Sequence, residues 1–297
     1  MNKKIVTELQ ACEAMIKRGS TTFYKAFGFL PSPRREAVYV IYAFCRMIDD
    51  AVDEPEKAVY TLDELSAKFE RLEEAGGHFI WPALRWLMAE FPVSREPFLR
   101  QMRGQRLDGH RLHYKTVEEL EEYAYLVAGT VGEMLIPVLH DRPGEEMRES
   151  GVWLGKAMQI VNIIRDVGED KAKGRRYVPL EVMERHGYTP EMFDSGLIND
   201  AWISTIQELS GMARQWFAKG LRDLDGYPKV SGFCVELSAL MYEAILDSVE
   251  AGGYDVFRSR AYVSSGRKLV IVQRLMKRHA VMPQDADKRT PGTSAVS

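Results

Sequence analysis

Two segments of this chain gather carboxylates on helices that are otherwise apolar. In YAFCRMIDDAVDE, residues 42–54, Asp49 and Asp53 stand four apart, which on an α-helix places one nearly above the other. Arg46 and Tyr42, three and seven residues before Asp49, extend the same stripe, and Asp50 points elsewhere. In QIVNIIRDVGED, residues 159–170, Gln159, Asn162, Asp166 and Asp170 recur at steps of three, four and four, with Arg165 beside Asp166. Isoleucine and valine fill most of the other positions. Carboxylates held together and partly out of water repel, and their pKa values rise unless a cation sits between them. A hard divalent ion with oxygen ligands removes that cost. Magnesium typically takes one or two carboxylates and completes its octahedron with water and phosphate oxygens. Two such helices facing across a cavity would present metal-bridged anchors for a diphosphate, with Arg46 and Arg165 adding charged hydrogen bonds. A single acidic pair is more often a solvated helix face. Acids near a helix C-terminus oppose the macrodipole, however, at a cost of ~0.3–1 kcal/mol. The same device on two apolar helices therefore favours a site.

The elements that must carry these residues read as helices. Pro33 suits the first turn of a helix that Ser32 starts and Pro55 ends. TLDE at 61–64 is a capping box, and Gly76-Gly77 closes its helix. TVEE at 116–119 repeats the device ahead of a long run to Leu139. Further helical runs are predicted at about 144–172, 200–224, 232–251 and 260–278. No period-two alternation of strand length occurs. The expectation is one all-α helical bundle over 1–279 around a central apolar cavity, followed by a polar, Pro-containing tail at 280–297 read as disordered. In AYLVAGTVGEML the small residues Ala128, Gly129 and Gly132 admit a close approach, either by a ligand or by another helix.

Composition narrows the function classes. Of 297 residues, 45% are hydrophobic and 28% charged, which is ample for a large core. The formal net charge of −3 creates no general attraction for nucleic acid, so an anion must be held by local cations. Cys12, Cys45 and Cys234 lie far apart, form neither a zinc cluster nor a disulfide framework, and fit a reducing, cytoplasmic location. The basic N-terminus lacks the apolar core of a signal peptide, and no apolar run is long enough to span a membrane. HRLH at 110–113 lacks the Glu-x-x-His partners of a di-iron bundle. Arg267, Lys268, Arg274, Lys277 and Arg278 read as a solvated helix face that could also touch a membrane surface.

The chain resembles the squalene/phytoene synthases, the head-to-head isoprenyl diphosphate synthases of the all-α terpenoid fold, over about residues 8–278. The resemblance rests on GSTTFYKAFGFLP at 19–31, YAFCRMIDDAVDE at 42–54, YLVAGTVGEML at 125–135 and QIVNIIRDVGEDKAKGRRYVP at 159–179. It implies that Asp49, Asp53, Asn162, Asp166 and Asp170 hold magnesium, two or three ions per site. It implies that Gly19, Ser20, Thr21, Thr22, Tyr42, Arg46, Gln159 and Arg165 contact diphosphate, that Tyr125 and Tyr242 face the reacting centre, and that Arg260 lies near it. Arg175 matches the family's arginine after the second acidic motif, to close over diphosphate or to pair with Glu169 or Asp170. The family's acidic residue near DGHRLHYKT is matched loosely, which leaves Asp108 and His110 without an assigned role. Val131 and Gly132 would line the prenyl cavity, as would Phe27 and Tyr39, although core packing serves those two aromatics equally.

The implied reaction condenses two allylic prenyl diphosphates through a cyclopropylcarbinyl diphosphate, in carotenoid biosynthesis. The bulk of Phe27 and Tyr39 leans toward two farnesyl diphosphates and dehydrosqualene; the alternative is phytoene from two geranylgeranyl diphosphates. Squalene would further require NADPH, which the likeness to soluble bacterial carotenoid enzymes does not lead one to expect. A phosphatase that quenches the same cation with water needs the same metal site. A helical partner-binding protein would have no need of the intact Arg, Asp and Asn set. Peripheral membrane contact would aid release of a water-insoluble product.

Overall fold

The computed structural model describes residues 3–108 and 112–281. Among the described residues there is no strand, and a single bridge ties His113 to Arg176. The helices are α1 (Lys3–Gly19), α2 (Thr21–Phe27), α3 (Arg34–Asp53), α4 (Leu62–Glu70), α5 (Ile80–Glu90), α6 (Glu96–Asp108), α7 (Val117–Ala124) and α8 (Thr130–Leu139). After these come α9 (Glu145–Arg165), α10 (Val167–Ala172), α11 (Leu180–Arg185), α12 (Pro190–Ser195), α13 (Asp200–Gly220), α14 (Lys229–Ala251) and α15 (Ser265–His279). None of the described helices is long and apolar enough to cross a membrane.

Local chemistry explains most boundaries. The Thr61–Glu64 box closes reciprocally: the Thr61 hydroxyl accepts from Glu64 N, and the Glu64 carboxylate accepts from Thr61 N at 2.8 Å. At α7 the Thr116 hydroxyl accepts from Glu119 N, while the Glu119 carboxylate reaches Lys115 N, one residue outside the cap. Ser32 does not start α3. Pro33 occupies its cap position and no side chain caps it. The α4 helix gives way at Arg71, well before Gly76, and continues as turns. The segment predicted as helix at 260–264 is irregular instead, because Ser264 caps α15 by accepting from Arg267 N at 3.2 Å.

Two long predicted runs are interrupted. Between α7 and α8 the backbone widens into a π-turn at Tyr125–Gly129, the kind of irregularity that favours functional sites. Between α9 and α10 the helix breaks at Asp166, which departs from helical geometry, and Gly168 N donates to Val256 O at 3.1 Å.

At the centre lies α9, packed by α8, α13 and α14. A Cβ at Gly132 would collide with the Gly151 carbonyl, and one at Gly155 with the Ala128 carbonyl. The small residues of the YLVAGTVG segment thus bring α8 and the π-turn against α9, backbone to backbone. Val281 is buried, so the packed chain runs two residues past the predicted end of the fold. The rest of the predicted disordered tail, and His110, lie outside the described residues.

Candidate active site

The acidic ends of α3 and α9 open onto one polar chamber of about 500 Å³. Arg46, Asp49 and Asp53 enter it from α3, and Gln159, Asn162 and Arg165 from α9. Asp166 enters from the break, Asp170 from α10, Arg175 from the loop beyond, and Arg260 from the strap before α15. The two carboxylate stripes therefore face one another. Asp50 stands outside the lining and holds Arg46 at 2.6 Å.

The cations are already engaged. Arg165 grips Asp166 with two bonds of 2.8 and 2.6 Å, and Arg260 approaches the same carboxylate at 2.9 Å and Glu169 at 3.2 Å. Arg175 reaches across to Asp53 at 2.8 Å, not to Glu169 or Asp170, because its loop lies over the end of α3. Even so, the lining carries seven carboxylates against four guanidinium groups. Burial pushes Asp49 up to about 7 from an ordinary 3.8, with Asp53, Asp50 and Asp108 adding repulsion against the pull of Arg46. Burial, then Asp166, likewise pushes Asp170 up to about 7.

The lining also includes Gln105, Asp108, Tyr123 and Tyr177. Gln105 donates to Asp49 at 2.6 Å. Asp108 is 3% exposed and accepts from the Tyr177 hydroxyl at 2.8 Å; burial raises its pKa, against that bond and Arg175. The Tyr114 hydroxyl also reaches Asp108 at 3.5 Å, and the Tyr177 ring stacks on both Tyr114 and Tyr123. A signal existed: Gln101, Gln105 and Asp108 recur at steps of four and three on α6, the spacing already used for the acidic stripes. Tyr125, expected to face the reacting centre, lies outside the lining of both the chamber and the apolar cavity, accepting from Arg100 at 2.5 Å and donating to Glu133 at 3.1 Å. The tyrosine facing the chamber is Tyr123, two residues earlier, on the face that α7 presents before the π-turn rotates the chain.

Beyond the chamber an apolar cavity of about 220 Å³ runs into the bundle. Asp49, Val127, Gln159 and Asn162 line both spaces and so mark the boundary. Phe27, Tyr42, Val131, Gly132 and Tyr242 line the cavity, as do Ala128, Gly151 and Gly155 from the close helix contact. Tyr39 does not. It is 2% exposed, packed against Tyr24 in the core, so core packing is the correct reading of that ring. A third recess brings Gly19, Ser20, Thr21 and Thr22 to Arg165, Tyr242 and Arg260. Phe23 stacks on Tyr242 at 5.3 Å, and burial raises the pKa of that phenol.

The donor set suits a hard divalent cation. The Asn162 side-chain oxygen is buried without a hydrogen-bond partner, and the carboxylate excess is uncompensated. Among the described residues no three histidine, cysteine or carboxylate side chains converge on one point. A cation there would need oxygens from ligand and water to complete its shell.

A model of the squalene/phytoene synthase family matches residues 16–267. The chain is 35% identical over 279 residues to a 15-cis-phytoene synthase of Synechocystis sp., covering 88% of this chain and 82% of that one. It is 35% identical over 268 residues to a chloroplastic phytoene synthase of Daucus carota, covering 87% and 67%. Among solved structures, a dehydrosqualene synthase crystallised with a ligand superposes with a TM-score of 0.88 at 30% identity, over 94% of this chain and 99% of that one. A squalene synthase from Alicyclobacillus acidocaldarius gives 0.78 at 26% identity, over 86% and 97%.

Proposed function

The chain belongs to the squalene/phytoene synthase family of head-to-head prenyltransferases, and from that premise we propose that it joins two geranylgeranyl diphosphates to give phytoene. The observation that carries this reading is the junction of the two spaces. A chamber of carboxylates and arginines opens across Asp49, Gln159 and Asn162 onto an apolar cavity, so a ligand bridging them has a hydrocarbon tail and, with divalent cations offsetting the carboxylate excess, an anionic head. The names of the relatives at 35% identity favour the twenty-carbon substrate. The fifteen-carbon reading keeps two supports, the dehydrosqualene synthase likeness and Phe27 in the cavity wall, but has lost Tyr39.

Magnesium, held by Asp49, Asp53, Asn162, Asp166 and Asp170, would neutralise the carboxylate excess and the departing diphosphate. The protein's own groups do the rest. Arg46, Arg165, Arg175 and Arg260 exchange their carboxylate partners for diphosphate oxygens, charged donors aimed where negative charge develops. Thr21, Thr22 and Ser20 offer hydroxyls beside Arg165. The apolar walls hold the two chains and exclude water from the allylic cation. Loss of a proton closes the cyclopropane, and neither phytoene nor dehydrosqualene requires a hydride, so NADPH has no part in this reading.

The test is product analysis. Purified protein and Mg2+ are incubated with farnesyl or geranylgeranyl diphosphate, with and without NADPH. A forty-carbon hydrocarbon from geranylgeranyl diphosphate, indifferent to NADPH, is expected. A thirty-carbon hydrocarbon from farnesyl diphosphate alone transfers the assignment to dehydrosqualene. Prenyl alcohol in place of hydrocarbon overturns condensation.

A further inference from the structure

Along α9, from Gly151 to Ile164, a single residue is charged: Lys156. It is 5% exposed and stands outside the lining of both the chamber and the cavity. Its ammonium is bonded to Glu121 of α7. The same ammonium sits over two indoles, 3.7 Å from the ring centre of Trp153 and 4.7 Å from that of Trp216 on α13. Burial lowers the pKa of Lys156; the bond to Glu121 opposes this and nearby Lys219 reinforces it. An apolar pair of similar size is often as stable as a buried ion pair, or more so, because two charges must be taken out of water. Such a pair can instead fix a geometry.

The two ends of the lysine show which geometry. Tyr125 N donates to the Glu121 and Glu122 carbonyls, where α7 gives way to the π-turn. Glu121, held by the ammonium, is thus the residue at which that change begins. The aliphatic stem lies against Gly129, the last residue of the turn, where a Cβ would stand 3.5 Å from Lys156 Cγ. One side chain therefore grips both ends of the segment 121–129. Within that segment Tyr123 lines the chamber, Ala128 lines the cavity and Val127 lines both. Three and six residues beyond Lys156 on α9, Gln159 and Asn162 stand at the junction of the two spaces.

We propose that Lys156 is a positioning residue: through Glu121 and Gly129 it holds the 121–129 wall in register with α9, and so sets where Tyr123 and Val127 stand relative to Asn162. The effect on turnover rests on the proposed condensation; the placement of the wall does not. A reactive or modified lysine is the poorer reading, because two indoles and a carboxylate enclose a side chain that is 6% exposed.

The test compares Lys156→Met, Glu121→Ala and the double variant of the full chain, by diphosphate release from the prenyl diphosphate that the wild type consumes. Lys156→Met is expected to lower kcat about tenfold or more with KM within about threefold, since misplaced walls spoil orientation. Glu121→Ala should do the same, and the double variant should lose no more than either, because both cut one tie. Melting should part them. Lys156→Met leaves Glu121, 39% exposed, to water and should melt no lower than wild type, whereas Glu121→Ala strands a buried ammonium and should melt lower. Turnover that follows Tm across the three variants assigns the pair to stability alone and overturns the proposal, as does wild-type kcat in Lys156→Met. A second measurement needs no substrate. In protein labelled with 3-fluorotyrosine, the Tyr123 fluorine resonance, assigned with Tyr123→Phe, should shift in both single variants. An unmoved resonance overturns the placement of the wall, and a shifted one stands even if the proposed reaction fails.

Discussion

Two rungs of one ladder between α3 and α6 behave differently. Where the ladder enters the chamber, Gln105 donates to the carboxylate of Asp49 at 2.6 Å. One helical turn inward, at the cavity, the Cys45 thiol donates to Gln101 at 3.2 Å, a weak bond between neutral groups. The chamber is made of strong interactions that compensate one another poorly: excess carboxylates, raised pKa values and an orphaned Asn162 oxygen. The cavity is made of weak ones in good order, held open by backbones in contact. The first region is unfinished until a ligand arrives, whereas the second is finished and hollow. Changes in the chamber should therefore register in turnover, and changes in the cavity wall in stability.

The largest effect is expected from Asp49→Ala or Asp166→Ala. Each should lower kcat about a thousandfold while leaving the circular dichroism helical. Near-wild-type turnover in either would break the contrast at its strong end. Gly132→Ala should do the reverse. Its Cβ would have to displace the Gly151 carbonyl of α9, costing about 3 kcal/mol, a fall in Tm of roughly 6–12 °C. Thermal melting checks this, and an unchanged Tm with lost activity would mean the close contact serves the reaction rather than the packing.

The same contrast explains what could be read in advance. The stripes at 49/53 and 162/166/170 were legible because metal and diphosphate chemistry demands particular residue types at helical spacing, and both stripes fall in the chamber. The α6 stripe obeys the same rule but is harder to read, because two of its three residues are uncharged glutamines. Tyr123 and Tyr125 lie two apart, so on a helix they point to nearly opposite sides, and which of them meets the chamber is set by how α7 packs, which no local pattern marks. Cavity membership was less legible still. Phe27 and Tyr39 are both buried aromatics, and only the packing of α2 against α3 decides that one lines a space and the other fills it.

Magnesium offers a way to sharpen the comparison. Asp49 and Asp170 have folded pKa values of about 7 against 3.8 ordinarily, so between those values the folded protein holds protons that the unfolded chain has shed. In the absence of cations, the contribution of these groups to stability declines as pH rises through that window. Mg2+ held there would take the deprotonated form and restore that contribution. At about a hundredfold excess over its dissociation constant, Mg2+ should raise Tm by roughly 5–10 °C at pH 8, and by far less at pH 5, where it must displace protons. Melting curves at the two pH values decide the matter, and equal increments would place the ion elsewhere. In Gly132→Ala the Mg2+ increment should survive, since the damage lies in the cavity wall.

The finest test returns to the ladder itself. Gln105→Leu removes a donor from a carboxylate that the chamber holds in place, and a lost partner of a ligating group typically costs about tenfold in affinity or activity. Gln101→Leu removes an amide that is 1% exposed and, among the described residues, is bonded only to the Cys45 thiol. Leucine at 101 should leave kcat/KM within about twofold and Tm within about 4 °C of wild type, because deleting a weakly satisfied buried polar group is nearly neutral. Kinetics and melting on the two variants side by side measure the difference between the rungs. If leucine at 101 costs as much turnover as leucine at 105, the boundary between charge-bearing and space-making regions lies at least one helical turn deeper than Asp49, and Cys45 and Gln101 belong with the chamber.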